Sequence, residues 1–150
     1  MKIAIFSGSV YGTAEEVARH AERLLNAAGL EAWHNPRASL AEIQAFAPEA
    51  FLAVTSTTGM GELPDNLQPL YYAIRDHLPA WNGLPGAVIA LGDSSYGDTF
   101  CGGGELVSEL FAELGIVEVL PMLRLDSSES VTPETDAEPW LADFIAKLQA

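Results

Sequence analysis

The feature of this chain that most restricts its fold is an alternation of strand-sized apolar runs with stretches of helical period. The runs, rich in β-branched residues, are Ile3 to Phe6, Leu30 to His34, Phe51 to Thr55, Ala87 to Leu91 and Ile116 to Leu120. The clearest helical stretch between them is Ala14 to Ala28, where Val17, Ala21, Leu24, Leu25 and Ala28 mark one face and Gly29 supplies the stop. Ser39 to Glu42 and Thr135 to Glu138 both fit the capping-box pattern, which places helix starts before Leu40-Ile43-Phe46 and before Trp140-Phe144-Leu148. Asn66 to His77 and Glu105 to Leu114 complete the helices, and polar Asp126 to Glu138 reads as a solvated loop before the last one. Strand then helix, five times over, predicts an α/β fold: a doubly wound, open parallel sheet with helices on both faces. The 150 residues suffice for one domain, 1–150, with one sizeable core.

Charge narrows the partners. Seven Lys and Arg stand against 21 Asp and Glu, a net charge of −14, the wrong sign for holding nucleic acid or docking on an anionic membrane. The same excess favours a partner protein with a basic face. Cys101 is the single cysteine, so neither an internal disulfide nor a multi-cysteine metal site can form. His20, His34 and His77 fall on different elements without metal-like spacing, so no metal site is expected and surface or packing roles are. Trp33, Trp81 and Trp140 are expected in or beside the core. The opening MKIAIF stops at Ser7-Gly8, too short for a signal sequence, and no run nears the roughly 18 apolar residues of a membrane span. A cytoplasmic location is expected.

In a sheet of this kind ligands bind beyond the carboxyl ends of the strands, where the strand order switches. After the first strand comes Ser7-Gly8-Ser9-Val10-Tyr11-Gly12-Thr13-Ala14, which runs into a helix and aims backbone N–H groups at an anion. It holds no Lys or Arg and matches neither GxxxxGK[ST] nor GxGxxG, so a monophosphate suits it better than a triphosphate with magnesium. The third strand ends in Thr55-Ser56-Thr57-Thr58-Gly59-Met60-Gly61-Glu62-Leu63-Pro64-Asp65-Asn66, where two glycines let the backbone approach a flat ligand. The fourth ends in Leu91-Gly92-Asp93-Ser94-Ser95-Tyr96-Gly97-Asp98-Thr99-Phe100-Cys101, which offers Tyr96 for stacking on an aromatic ring. Each loop alone also reads as an ordinary turn, and Tyr96 as a cover for apolar surface. Their conjunction at one crevice favours a ligand.

These residues resemble a family. The phosphate loop with GTAEE, TSTTGMGELPDN and LGDSSYGDTFC look like the three flavin mononucleotide (FMN) loops of flavodoxins, over essentially the whole chain. They are also similar to the flavodoxin-like domains of diflavin reductases. The uninterrupted fifth strand places the resemblance with short-chain flavodoxins of the MioC and YqcA type. The resemblance implies a five-stranded sheet of order 2-1-3-4-5 and one noncovalent FMN. By it, Ser7, Ser9, Val10, Tyr11, Gly12, Thr13 and Ala14 wrap the flavin phosphate, and Thr57, Thr58, Gly59, Met60 and Gly61 line the inner side and N5 edge of the ring. Leu91, Gly92, Asp93, Tyr96, Asp98, Phe100 and Cys101 form the outer side and the pyrimidine edge, with Tyr96 stacked on the ring. Thr58 stands where many flavodoxins carry Trp or Tyr, and the Tyr-to-Phe-Cys spacing is one residue longer than usual.

The resemblance implies a one-electron carrier, with no catalytic residue of its own, shuttling between a flavodoxin reductase and acceptor proteins with basic faces, as a monomer. The alternative is an FMN-dependent reductase that oxidises NAD(P)H itself and reduces a quinone or small acceptor; the absence of a second nucleotide motif counts against it. A phosphoacceptor receiver is excluded because the chain has Ser7 to Ser9 and Thr55 to Thr58 where that chemistry needs carboxylates. A cofactor-free interaction module is the remaining alternative. Adding negative charge to a flavin inside a protein of charge −14 costs energy, so the second reduction is expected at low potential.

Overall fold

The structure, a computed structural model, describes residues 1–58, 60–93, 97, 100–129 and 131–150. In chain order its elements are β1 (Lys2–Gly8), α1 (Thr13–Ala27), β2 (Glu31–His34), α2 (Leu40–Phe46), β3 (Ala50–Thr55) and α3 (Gln68–His77), followed by β4 (Pro85–Gly92), α4 (Gly102–Glu113), β5 (Val117–Glu118), β6 (Leu123–Asp126), α5 (Pro133–Asp136) and α6 (Glu138–Gln149). All strand pairs are parallel, in the order β2-β1-β3-β4-β5, with β6 also paired to β4. The strand order expected from the resemblance is thus present.

Alternate residues of each strand face opposite sides, and each side has its own core. Ile3, Ile5, Leu52, Val54, Ala87 and Ile89 pack against Val17, Ala21 and Leu25 of α1 and Leu141 and Phe144 of α6. Ala4, Phe6, Phe51, Ala53 and Val88 pack against Ile43 of α2, Leu70 and Ile74 of α3, and Val107, Leu110 and Phe111 of α4. The expected tryptophans take part: Trp81 is buried 4.5 Å from the Phe51 ring, Trp33 meets Phe46 at 5.3 Å, and Trp140 stacks on Phe144 at 5.6 Å.

The fifth strand is not continuous. Val117–Glu118 pairs with Pro85–Gly86, whereas Leu123–Asp126 pairs with Ile89–Gly92, so the register against β4 slips by two residues between them. The chain bulges outward around Pro121, which has no N–H to give a ladder, and the Trp140 indole pins the bulge by donating to the Pro121 carbonyl at 3.0 Å.

Three further expectations need correction. The Ser39–Glu42 capping box forms, but the one expected at Thr135–Glu138 does not. Thr135 lies inside the short helix α5, and Oε1 of Glu138 is 2.8 Å from His20 Nε2 instead of turning back on the chain. The segment read as a solvated loop therefore carries a turn of helix, preceded by the end of β6. Helix α4 begins three residues before Glu105, because Cys101, at φ 59°, turns the chain directly into it.

Phe51 is fully buried with Trp81 at 4.5 Å, Phe6 at 5.9 Å and Phe111 at 6.2 Å from its ring. We expect Phe51→Ala to cost about 3 to 5 kcal/mol in urea unfolding, through lost burial and an unfilled cavity. A loss below about 1 kcal/mol would mean that this cluster is loosely packed.

Candidate functional site

The first loop leaves β1 at Gly8, where a Cβ would stand 2.8 Å from Thr55 Oγ1 and 2.9 Å from Leu67 Cβ, so only glycine lets β1 end against β3 there. The Ser9 hydroxyl accepts the Gly12 N–H at 2.8 Å and closes the loop on itself. Gly12, at φ 89°, turns the chain into α1, and its carbonyl accepts the first helical bond, from the Glu16 N–H at 2.9 Å. Gly12 brings no side chain to cap the helix, so the first N–H groups of a 15-residue helix are left to a ligand. Asn66, from the loop before α3, reaches across: its Oδ1 accepts the Ser9 N–H at 2.9 Å and its Nδ2 donates to the carbonyls of Ser7 at 3.1 Å and Pro36 at 3.4 Å.

The loop after β3 is a tight turn. Thr58 and Glu62 exchange backbone bonds, 2.9 Å and 2.8 Å, while the Gly61 N–H donates to the Thr58 carbonyl at 3.0 Å. The Thr57 hydroxyl accepts the Gly103 N–H at 3.0 Å, which ties this turn to the start of α4. That helix comes very close: a Cβ on Gly103 would lie 2.5 Å from the Ser56 carbonyl oxygen. On the third loop Gly92 is equally constrained, since a Cβ there would lie 2.6 Å from the Cys101 nitrogen. The Ser127 N–H donates to the Gly92 carbonyl at 2.7 Å, which brings the turn after β6 to the same edge.

Between these loops lies a cleft of about 480 Å³, lined by Val10, Tyr11, Thr13, Ser56, Thr57, Thr58, Leu91, Gly92, Asp93 and Ser127. Eight of these ten were expected at a ligand; Ser56 and Ser127 were not. Of the other expected residues, Gly12 turns the chain into α1, and Ala14 is buried in the core, so only its backbone can serve the site. The Ser7 hydroxyl lies 2.7 Å from His34 Nε2 and is used there. Met60 stands exposed at the rim, Gly61 turns the second loop at φ 92°, and Phe100 and Cys101 back Gly92. Gly59, Tyr96 and Asp98 lie outside the described residues. A larger groove, about 590 Å³, runs between α4 and the 118–122 bulge, off the carboxyl ends of β1 and β3.

Two titratable groups brace the site. Burial pushes the His34 imidazole below its ordinary value, against the pull of Glu22 and Glu15, which favours the neutral ring beside Ser7. Cys101 is fully buried, its thiol aimed at the Ala90 carbonyl at 3.7 Å, and burial pushes it up to about 11 although Arg124 opposes the shift. It is a packing group rather than a nucleophile.

The Flavodoxin family profile matches residues 5–140 of this chain. The chain belongs to the flavodoxin family. It is similar to flavodoxin YqcA of Escherichia coli K12, 41% identical over 95% of each chain, and to a MioC homologue of Haemophilus influenzae, 36% identical over 99% of this chain and 100% of the other. A solved structure of a C101A mutant of a flavodoxin from Pseudomonas aeruginosa superposes with a TM-score of 0.97 at 81% identity, covering 100% of both chains. The flavodoxin cofactor is FMN, and this cleft fits it: one end offers uncapped helical N–H groups with the Thr13 hydroxyl for a phosphate. The other places Leu91 beside Gly92, where any Cβ would strike the chain beneath. Ser56, not among the expected residues, lies within the TSTTGMGELPDN segment. Ser127 follows a strand that the apolar pattern does not show, and Asn66 ends the TSTTGMGELPDN segment without any sign in the sequence that it anchors the first loop.

At pH 8 the native Cys101 thiol should react with an aromatic disulfide reagent only after unfolding, being both protonated and enclosed. Because its folded pKa is raised, its contribution to stability is complete below its ordinary value of 9.0 and is lost as pH rises toward about 11. Prompt labelling of the native protein would contradict this.

Proposed function

We propose that this flavodoxin is a one-electron carrier that meets a reductase and then acceptor proteins bearing basic faces, as a cytoplasmic monomer. The observation that carries the reading is the composition of its clefts. Among the described residues the cleft has no Lys or Arg in its lining, and Tyr11 in that lining is 94% exposed and Met60, in the loop after β3, 82%, surface on which another protein can seat. The larger groove presents Glu105, Glu109 and Glu118 to a nicotinamide dinucleotide, and its Arg124 is already paired with Glu105 at 3.0 Å. A pyrophosphate is repelled there. This favours the carrier over a reductase that oxidises NAD(P)H itself.

Bound flavin supplies the redox chemistry, one electron at a time. The chain's part is to hold and bias it. The N–H groups at the start of α1, with Thr13, would receive the phosphate by dipoles, and the phosphate loop itself brings no Lys or Arg to offset the charge gained on reduction. Within a protein of charge −14, that pushes the second reduction to low potential. Thr57 and Thr58 on one side, and Leu91, Gly92 and Asp93 on the other, would hold the ring between them.

Long-range attraction by exposed acids such as Glu62 and Asp65 speeds encounter and leaves release fast. Charges are screened over about 8 Å at physiological ionic strength, so stopped-flow electron transfer to a basic acceptor should slow as salt rises. Flavin affinity should change far less, and neutralising Glu62 and Asp65 together should reduce the low-salt advantage. The purified protein alone should not consume NADPH. Steady NADPH oxidation would favour the reductase, and a salt-independent transfer rate would remove the electrostatic docking.

A further inference from the structure

The phosphate loop carries no cation, so its grip on an anion depends on where its backbone dipoles point. Dipoles fixed in advance are worth more than dipoles that must reorganise on binding. The loop's own closure is one hydroxyl, Ser9 on the Gly12 N–H. What holds the root of the loop comes from elsewhere in the chain: His34 takes the Ser7 side chain, and Asn66 takes the backbone on both sides of Gly8. Asn66 satisfies the Ser9 N–H with its carbonyl oxygen and the Ser7 carbonyl with its amide, at 2.9 Å and 3.1 Å, so both ends of one planar group are used on one loop. The same amide reaches the Pro36 carbonyl at 3.4 Å, so the loops after β1 and β2 share one anchor.

We propose that Asn66 is the positioning residue of the phosphate loop: it holds Ser7 to Ser9 in the conformation from which the Gly12 turn presents the first N–H groups of α1 to the FMN phosphate. The proposal rests on the FMN reading given above. Asn66 touches no flavin atom in this role, and its effect appears only on ligands that carry the phosphate. Its place in the chain gives it a second consequence. Asn66 follows the turn that borders the ring side of the cleft, so one side chain ties the ring-side segment to the phosphate-side loop.

The test is a fluorescence titration of the apoprotein with FMN and with riboflavin, in the wild type and in Asn66→Ala. The ratio of the two dissociation constants isolates the phosphate. The wild type should prefer FMN by about 100-fold or more, and Asn66→Ala should cut that preference about fivefold or more while riboflavin affinity stays within about twofold. Asn66 is exposed, so the variant is expected to fold, with apoprotein melting as the check. If it does not fold, Asn66→Ser, which keeps a polar group before α3, is read by the same ratio. An unchanged ratio, or equal weakening of both ligands, overturns the positioning role and leaves the FMN site standing. A wild type without preference for FMN removes the phosphate reading itself, and the proposal with it.

Discussion

The pairing of β1 with β3, from Ile3 opposite Ala50 to Gly8 opposite Thr55, sets where everything at the site can be. β3 is buried at all six positions and pairs in turn with β4, Thr55 opposite Ala90. Because both ladders are parallel and in fixed register, the ends of β1, β3 and β4 emerge side by side, and the loops that follow face one another. A slip of one residue would turn every side chain of a strand to the other core, so the two hydrophobic layers lock the geometry of the cleft as firmly as they lock the fold.

Close approach is the second condition. Gly8 against Thr55, Gly92 against the Cys101 nitrogen and Gly103 against the Ser56 carbonyl each bring backbone to within a distance no side chain allows. These contacts draw the loops together around a flat cleft and make α4 part of its support. The electrostatics of the proposed site follow from its described lining, which offers dipoles and hydroxyls and no Lys or Arg. Under the carrier reading proposed above, the same negative surroundings would make reduction costly and would attract a basic partner.

The parallel sheet was legible because buried parallel strands leave nearly unbroken apolar runs, and α1 left a clean amphipathic stripe ending at Gly29, whereas the strand order came from the family resemblance. The break in the edge strand was not. Ile116 to Leu120 reads as one strand, and the two-residue slip at the bulge depends on the Trp140 indole holding Pro121, a contact across 19 residues. The Thr135 capping box failed for a similar reason, since His20, 118 residues away in sequence, engages Glu138. At the site, the motif residues that line the cleft were readable from their loops. The uses of Ser7 by His34 and of Ser9 by Asn66 were not, because hydrogen bonds between distant segments leave no local pattern.

The central claim, that three aligned loops hold one FMN with its phosphate on the start of α1, is tested most directly by a crystal structure of the FMN complex. The account predicts phosphate oxygens within about 2.7 to 3.2 Å of the N–H groups opening α1 and of the Thr13 hydroxyl, with the ring between the loops after β3 and β4. A flavin seated in the groove between α4 and the 118–122 bulge, or one in the cleft with its phosphate turned away from α1, would contradict it.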